Sequence, residues 1–264
     1  SKLGTMSRIY LDHAATTPVR QAALDAFVEQ AQRLGNASAL HSAGRSVKLH
    51  VATARDELAA TLAADPTEIL FTAGGTEADH LAIKGLFLAQ RAADPDKKVI
   101  LATGIEHPAV TESLEWLVAH EQAQVVMVDV TEEGFVDLDG WQAALEQYAD
   151  TIALATLMWA NNEIGTIQPI ETVAGLCKTA GVPLHVDAVQ AFGAIPITFA
   201  DGVTTMAISG HKTGAPVGIG ALLVRRDAKL VPVLHGGGQE RDIRSGTTAD
   251  ALIVAFAAAA QEAT

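Results

Sequence analysis

Short runs rich in β-branched and apolar residues recur along the chain, at 69–72, 99–103, 124–128, 152–157, 184–186, 204–208 and 219–224. Each reads as a strand. Between most of the earlier runs the spacing changes to that of a helix. Val47, Val51, Ala54, Leu58 and Leu62 recur at helical intervals and make one apolar stripe. Pro108 stands where a first helical turn should start, and Pro169 does the same for a helix over 170–180, which Gly181 and Pro183 then end. The longest apolar run, 251–260, is Ala-rich and predicts a packed helix. Alternation of strand and helix requires crossover connections. It predicts an α/β protein with a mostly parallel, seven-stranded sheet and helices on both faces. In such sheets ligands sit beyond the carboxyl ends of the strands.

Composition narrows the classes of partner. The 264 residues are 49% hydrophobic and 19% charged, enough for a substantial core. Lys and Arg number 18 against 31 Asp and Glu, a net charge of −13, which argues against a nucleic acid as the main partner. No apolar run approaches the roughly 18–20 residues that span a bilayer. The single cysteine, Cys177, excludes an intramolecular disulfide framework and a multi-cysteine metal site, and fits a reducing, cytoplasmic setting. Residues 1–5 precede Met6 and read as an appended leader rather than part of the domain, which is expected to run over 6–264.

The loops after the strands carry the candidate chemistry. Thr-Ala-Gly-Gly-Thr-Glu (72–77) precedes a helical pattern. Free N–H groups there, with the Thr76 hydroxyl, suit a phosphate; equally, the segment is an ordinary turn with Thr76 as a cap. Gly-Ile-Glu-His-Pro (104–108) holds His107 in extended backbone before a proline, ready to stack on a ligand or move protons, or simply to hydrogen-bond within the loop. Ala-Asn-Asn-Glu-Ile-Gly (160–165) offers two amides that orient a ligand or build a turn. In His-Val-Asp-Ala-Val-Gln (185–190), Asp187 closes an apolar strand, where a carboxylate needs a cationic partner. Ser-Gly-His-Lys (209–212) places Lys212 after another apolar strand. A cleft lysine can form a Schiff base with an aldehyde. An acid for a pyridinium nitrogen and a lysine for an aldehyde are two defining contacts of pyridoxal phosphate, and a phosphate-binding glycine turn completes the set.

With these strings in place the sequence resembles the cysteine desulfurases, the NifS-like branch of fold type I pyridoxal phosphate enzymes. The resemblance rests on Tyr-Leu-Asp-His-Ala-Ala-Thr-Thr-Pro (10–18), Thr-Ala-Gly-Gly-Thr-Glu-Ala-Asp (72–79), Glu-His-Pro-Ala-Val (106–110) and Asn-Asn-Glu-Ile-Gly (161–165). It continues through 185–190 and 209–212 to His-Gly-Gly-Gly-Gln-Glu-Arg (235–241) and Arg-Ser-Gly-Thr (244–247), all in the family's order. It implies that Lys212 carries pyridoxal 5'-phosphate, that Asp187 keeps its ring nitrogen protonated, and that His107 stacks on the ring and assists proton transfer. Asn162 and Gln190 would bond the phenolic oxygen. Gly75, Thr76, Ser209 and His211 would hold the phosphate, with Gly210 among the cofactor-binding residues. Thr247 would reach the phosphate of a second subunit in a homodimer, and Asn36 matches a substrate-side loop.

Three departures from the family pattern stand out. Ala37 replaces a proline after Asn36, and Thr213-Gly214-Ala215-Pro216 follows the lysine where an aromatic residue and Gly-Pro are usual. The family's sulfur-accepting cysteine and carboxylate-binding arginine belong to a carboxyl-terminal small domain that the 264 residues do not include. Cys177, following Val173 and Leu176 in a helical pattern, reads as a buried thiol rather than a substitute. The implied activity is desulfuration of L-cysteine to alanine, with a persulfide passed to a sulfur-acceptor protein for iron–sulfur cluster assembly or thio-modification. The alternatives are selenocysteine lyase, cysteine sulfinate desulfinase or other class V chemistry on the same scaffold, and a non-catalytic cofactor-binding scaffold.

Overall fold

The computed structural model describes residues 9–264, so the proposed leader at 1–5 lies outside the described residues. Seven strands form one sheet: β1 (Ile69–Thr72), β2 (Val99–Thr103), β3 (Gln124–Val128), β4 (Ile152–Met158), β5 (Leu184–Asp187), β6 (Thr205–Ser209) and β7 (Gly220–Val224). Their order is β1-β7-β6-β5-β4-β2-β3. All neighbours are parallel except β7, which runs antiparallel to both β1 and β6. The mostly parallel, seven-stranded α/β sheet expected from the alternation is therefore present, and the predicted strand ends hold to within one residue.

Seven helices cover the sheet: α1 (Gln21–Ala31), α2 (Ser42–Thr61), α3 (Gly75–Ala93), α4 (Pro108–Glu121), α5 (Leu138–Gln147), α6 (Ile170–Ala180) and α7 (Asp250–Ala263). Strand pleating sends alternate residues to opposite faces, and both faces are dry. Ile69, Phe71, Leu101, Leu184, Val186, Met206, Ile208 and Leu223 pack with α2, α5, α6 and α7 in one cluster. Leu70, Ile100, Ala102, Leu154, Ala207 and Leu222 face the other way, where α3 and α4 lie. The stripe from Val47 to Leu62 is buried as its spacing requires. Pro108 opens α4 as expected, whereas Pro169 sits one position earlier, as the cap residue before α6. Gly181 ends α6 in the left-handed conformation at φ 67°. The Ala-rich segment forms α7, whose small side chains let α1 and α2 approach it closely.

The face a strand residue takes decides the site. Leu184 and Val186 point toward the α6 side, so His185 and Asp187 must point toward α3. By the same parity Thr205, Ala207 and Ser209 share that face. Both Thr72 of β1 and Ser209 of β6 register with Gly220 of β7, so the ends of these strands lie side by side. A Cβ at Gly220 would fall 2.7 Å from the backbone of Gly74. Glycine there lets the turn before α3 fold down onto the sheet edge.

Ion pairs moor the segment after β7 to this edge: Arg225 and Arg226 pair with Glu68 and Asp65 just before β1, and two more lie farther along. Glu240, 6% exposed, takes both terminal nitrogens of Arg55 at 2.8 Å and the N–H of Phe71 at 3.2 Å. Arg244 Nε donates to Glu77 in the first turn of α3 at 2.7 Å. Removing one member of a buried pair strands the other's charge, so Glu240→Ala is expected to cost about 3 kcal/mol. Urea unfolding of the purified variant measures this, and a loss under about 1 kcal/mol would show that Arg55 finds water instead.

Candidate active site

The carboxyl ends of β4, β5 and β6 and the amino end of α3 enclose a cavity of about 200 Å³. Its wall includes Gly75, Thr76, His107, Asn162, Asp187, Gln190, Ser209, His211 and Lys212. Nine of the twelve residues singled out in the sequence therefore meet in one place. Three do not line it. Gly210 lies just behind, its N–H donated to the carbonyl of Ile219 at 2.9 Å. A side chain there would collide with Ile219 at 2.7 Å, so its contribution is a close approach rather than a hydrogen bond. Asn36 closes a turn, its side-chain oxygen accepting from the N–H of Ser38 at 2.8 Å. Thr247 lines a separate hollow with Thr72, Ala73 and Arg244, behind the turn that starts α3.

One end of the cavity suits an anion. Helix α3 begins at Gly75, and its first intrahelical acceptor, the carbonyl of Gly74, is used by Ala78. That leaves the N–H groups of the first turn directed at the cavity beside the Thr76 and Ser209 hydroxyls and His211. Gly75 is required by crowding, since a Cβ there would stand 2.6 Å from Val189. Burial pulls the His211 imidazole below its ordinary pKa, and the neighbouring Lys212 charge adds to this.

Asp187 forms the floor and is 4% exposed. One of its oxygens accepts from the N–H of Val189 at 2.9 Å. Desolvation, with Asp79 nearby, pushes its pKa up from 3.8 to about 7. Behind it Glu106 accepts from the Thr103 hydroxyl at 3.1 Å and the Met158 N–H at 3.2 Å, and burial raises it to about 8. A floor with this surplus of buried carboxyl groups calls for a cation in the cavity.

Lys212 stands at the mouth. Its Nζ donates to the carbonyls of Ala14 and Ala15, the latter at 2.9 Å. Burial lowers its pKa, against smaller opposing effects of Asp12 and Asp187. Gln190 also donates to the Ala14 carbonyl, at 2.8 Å, so the amino-terminal turn closes over both residues. The lysine loop is braced on its far side, where the Thr213 hydroxyl returns to the carbonyl of Gly210 at 2.9 Å. Arg20 Nε meets the Thr213 carbonyl at 2.8 Å while its chain covers Gly214. Thr213 thus occupies the position next to the lysine by hydrogen bonding instead of aromatic packing.

The two amides divide their work. Asn161 builds the turn, donating to the Ile105 carbonyl at 2.9 Å and accepting from the N–H groups of Glu163 and Ile164. Asn162 is left facing the cavity. His107 caps α4, its Nδ1 accepting from the Ala109 N–H at 3.1 Å, so the neutral ring carries its proton on Nε2.

Sequence reasoning named Asp79 and His185 only as parts of longer strings. Asp79 lines the cavity, and His185 lies directly behind it. Helical and strand periods point to both. Asp79 is one turn beyond Gly75, and His185 is two residues before Asp187 on the same strand face.

The cleft at the strand ends thus combines a helix-terminal anion cradle, a buried acid and a lysine in one open α/β sheet. A model of the aminotransferase class-V family matches residues 9–261, and the chain belongs to that family. An IscS-like cysteine desulfurase of Mycobacterium tuberculosis is 49% identical over 253 residues, which is 96% of this chain and 64% of that protein. A solved NifS-like protein superposes with a TM-score of 0.91 at 35% identity, over 97% of this chain and 70% of the other. A structure described as SspA in complex with cysteine gives 0.88 at 34% identity, over 96% of this chain and 72% of that one. The chain spans less than two thirds of the length of the curated relatives it matches.

The floor has a cost that can be read in solution. A folded-state pKa of about 7 against an ordinary 3.8 means the folded chain binds this proton more tightly than the unfolded chain. Stability from Asp187 is full below about pH 4 and declines as pH rises to 7. In the chain free of any ligand, Asp187→Asn is expected to raise stability at pH 8 by about 4 kcal/mol and to change it little at pH 4. Urea titrations at the two pH values test this, and equal effects at both would contradict the burial argument.

Proposed function

We propose that the cavity holds pyridoxal 5'-phosphate and that the protein is a cysteine desulfurase, removing sulfur from L-cysteine and leaving L-alanine. The observation that carries this is the convergence of the α3 amino end, Asp187 and Lys212 on one cavity. The donor set fits the group. The first-turn N–H groups of Gly75 and Thr76, the Thr76 and Ser209 hydroxyls and His211 would bind the phosphate. Asp187, short of a cation, would hold the proton of the ring nitrogen. Asn162 and Gln190 would orient the phenolic oxygen. Lys212 would hold the aldehyde, for which it must leave the Ala14 and Ala15 carbonyls. When bound, the group supplies an electron sink for the carbon bearing the substrate's amine.

The chain's own residues supply the rest. His107 presents Nε2 toward the cavity for proton movement, since its Nδ1 is engaged by Ala109. Lys212, with its pKa lowered by burial, is a proton acceptor at the mouth. Sulfur removal requires a thiolate to attack the substrate's sulfur. An S–S bond forms, the C–S bond breaks with its electron pair on carbon, and carbon takes a proton to become alanine. Cys177 does not provide that thiolate: it is fully buried on α6, and desolvation pushes its thiol up to about 11. The 264 residues hold no other cysteine, so none of them supplies the nucleophile. The persulfide would pass to an acceptor protein for iron–sulfur assembly or thio-modification. The likeness to an IscS-like cysteine desulfurase and to SspA in complex with cysteine supports the desulfurase reading.

Borohydride reduction after incubation with pyridoxal 5'-phosphate is expected to add one cofactor mass to the wild type and none to Lys212→Ala. An equal adduct in the variant would remove Lys212 from its role. With L-cysteine, these 264 residues are expected to give no sustained turnover to alanine and sulfide, before or after Cys177→Ser. Sustained turnover that is lost on that substitution would make Cys177 the nucleophile after all.

A homodimer accompanies this reading. Thr247 lies outside its own cavity on a loop fixed to α3 through Arg244 and Glu77, a placement suited to a neighbour's phosphate. Light scattering is expected to return twice the chain mass at micromolar concentration, and a monomer there would leave Thr247 without that role.

A further inference from the structure

Two carboxylates, Asp79 and Asp187, line the same cavity wall, and the ring described above brings one cationic nitrogen. Both cannot be anions in a buried space with one positive partner. The surroundings of Asp79 resolve which is which. Its Oδ1 lies 3.1 Å from His185 Nε2, and His185 Nδ1 lies 3.0 Å from the Thr205 hydroxyl. Asp79 and His185 are 1% and 0% exposed. Burial lifts Asp79 well above the usual carboxylate range and drops His185 to about 4. Both directions favour uncharged partners. With both partners uncharged, protonated Asp79 donates to Nε2 and Nδ1–H donates to Thr205; an ionised Asp79 would instead accept from Nε2–H and leave a second bare anion on the wall. The other titratable groups facing this space are Glu106 behind the floor, and His107, His211 and Lys212 around the cavity.

We propose that Asp79 and His185 are positioning residues: Asp79 carries a proton held by His185, which leaves Asp187 the sole carboxylate free to pair with the ring nitrogen. This rests on the cofactor reading for its consequence, but not for its structural claim. Without His185 the Asp79 acid has no base to receive its proton and turns to Asp187. Without Asp79 the His185 ring loses the donor to Nε2 and competes for the same carboxylate. Asparagine at position 79 is the informative replacement. Its amide N–H donates to Nε2 as the acid O–H does and it carries no charge, so the arrangement survives.

Two measurements decide it. The first needs no cofactor. The infrared spectrum of wild type minus Asp79→Asn at pH 7 is expected to show the carbonyl band of a protonated, buried carboxylic acid. A carboxylate band in its place overturns the proposal. The second compares dissociation constants of pyridoxal 5'-phosphate and its 1-deaza analogue, which has carbon in place of the ring nitrogen. Their ratio reads the nitrogen–Asp187 contact and cancels general damage to the pocket. Asp79→Ala and His185→Leu are each expected to shrink the wild-type ratio about tenfold, equivalent to about 1.4 kcal/mol. Asp79→Asn is expected to keep it within about threefold. An unchanged or larger ratio in the alanine and leucine variants, or a collapse in the asparagine variant, overturns the proposal. Failure of the wild type to bind pyridoxal 5'-phosphate would strike the cofactor reading alone, and the infrared band would still decide the proton on Asp79.

Discussion

The structure turns on one uncomfortable placement, the carboxyl group of Asp187 at the end of a strand covered on both faces. An isolated buried anion is expensive, and nothing in the surrounding sheet offsets it. Its single protein donor is a backbone N–H. The rest of the cleft is arranged around the resulting deficit. The helix terminus and hydroxyls stand at one end, the lysine at the mouth, and the floor lacks only a cation. The fold tolerates a destabilising group because sheet and helices elsewhere bury apolar clusters on both faces. That division, with stability in the layers and unfavourable electrostatics at the strand ends, is what open parallel sheets make possible.

Much of this was legible in the sequence because the relevant signals are local. Strands flanked by glycine, proline and polar clusters announce themselves, and so do strand-end loops that contain Lys212, Asp187 and the 72–77 turn. The face each strand residue takes was recoverable from parity alone, which is how His185 joins the site. What the sequence left open were choices between equivalent uses of one residue type. Of Asn161 and Asn162, one builds the turn and the other faces the cavity, and no spacing rule distinguishes them. The covering of Lys212 by the Ala14 and Ala15 carbonyls was also out of reach. It depends on a contact spanning almost 200 positions, made by backbone atoms that carry no residue signature. Gly210 reads as cofactor-binding from its neighbours in the sequence, whereas its N–H is spent on Ile219 and its value is the absence of a side chain.

The segment after β7 shows how the edge of the sheet is tied to the cleft. Glu240 grips Arg55 of α2 and the backbone of β1, and Arg244 grips the first turn of α3. The same glutamate, Glu77, accepts from the N–H of Ala73, so one carboxylate braces both the turn before α3 and the loop beyond β7. Any group that docks on the α3 terminus therefore bears on the loop that carries Thr247. A second subunit resting on that loop would sense the occupancy of the first through a short, stiff path.

Cys177 has a different consequence. As the sequence's single thiol, sealed between α5 and α6 beside Trp141, it is a built-in clock for the opening of that layer. A thiol reagent can reach it only when the helices part, so the labelling rate of the native chain reports the frequency of such excursions. Because the layer lies on the sheet face opposite the cavity, that rate reads the breathing of the scaffold separately from events in the cleft. Comparison with and without a bound ligand would then reveal how far rigidity spreads through the sheet.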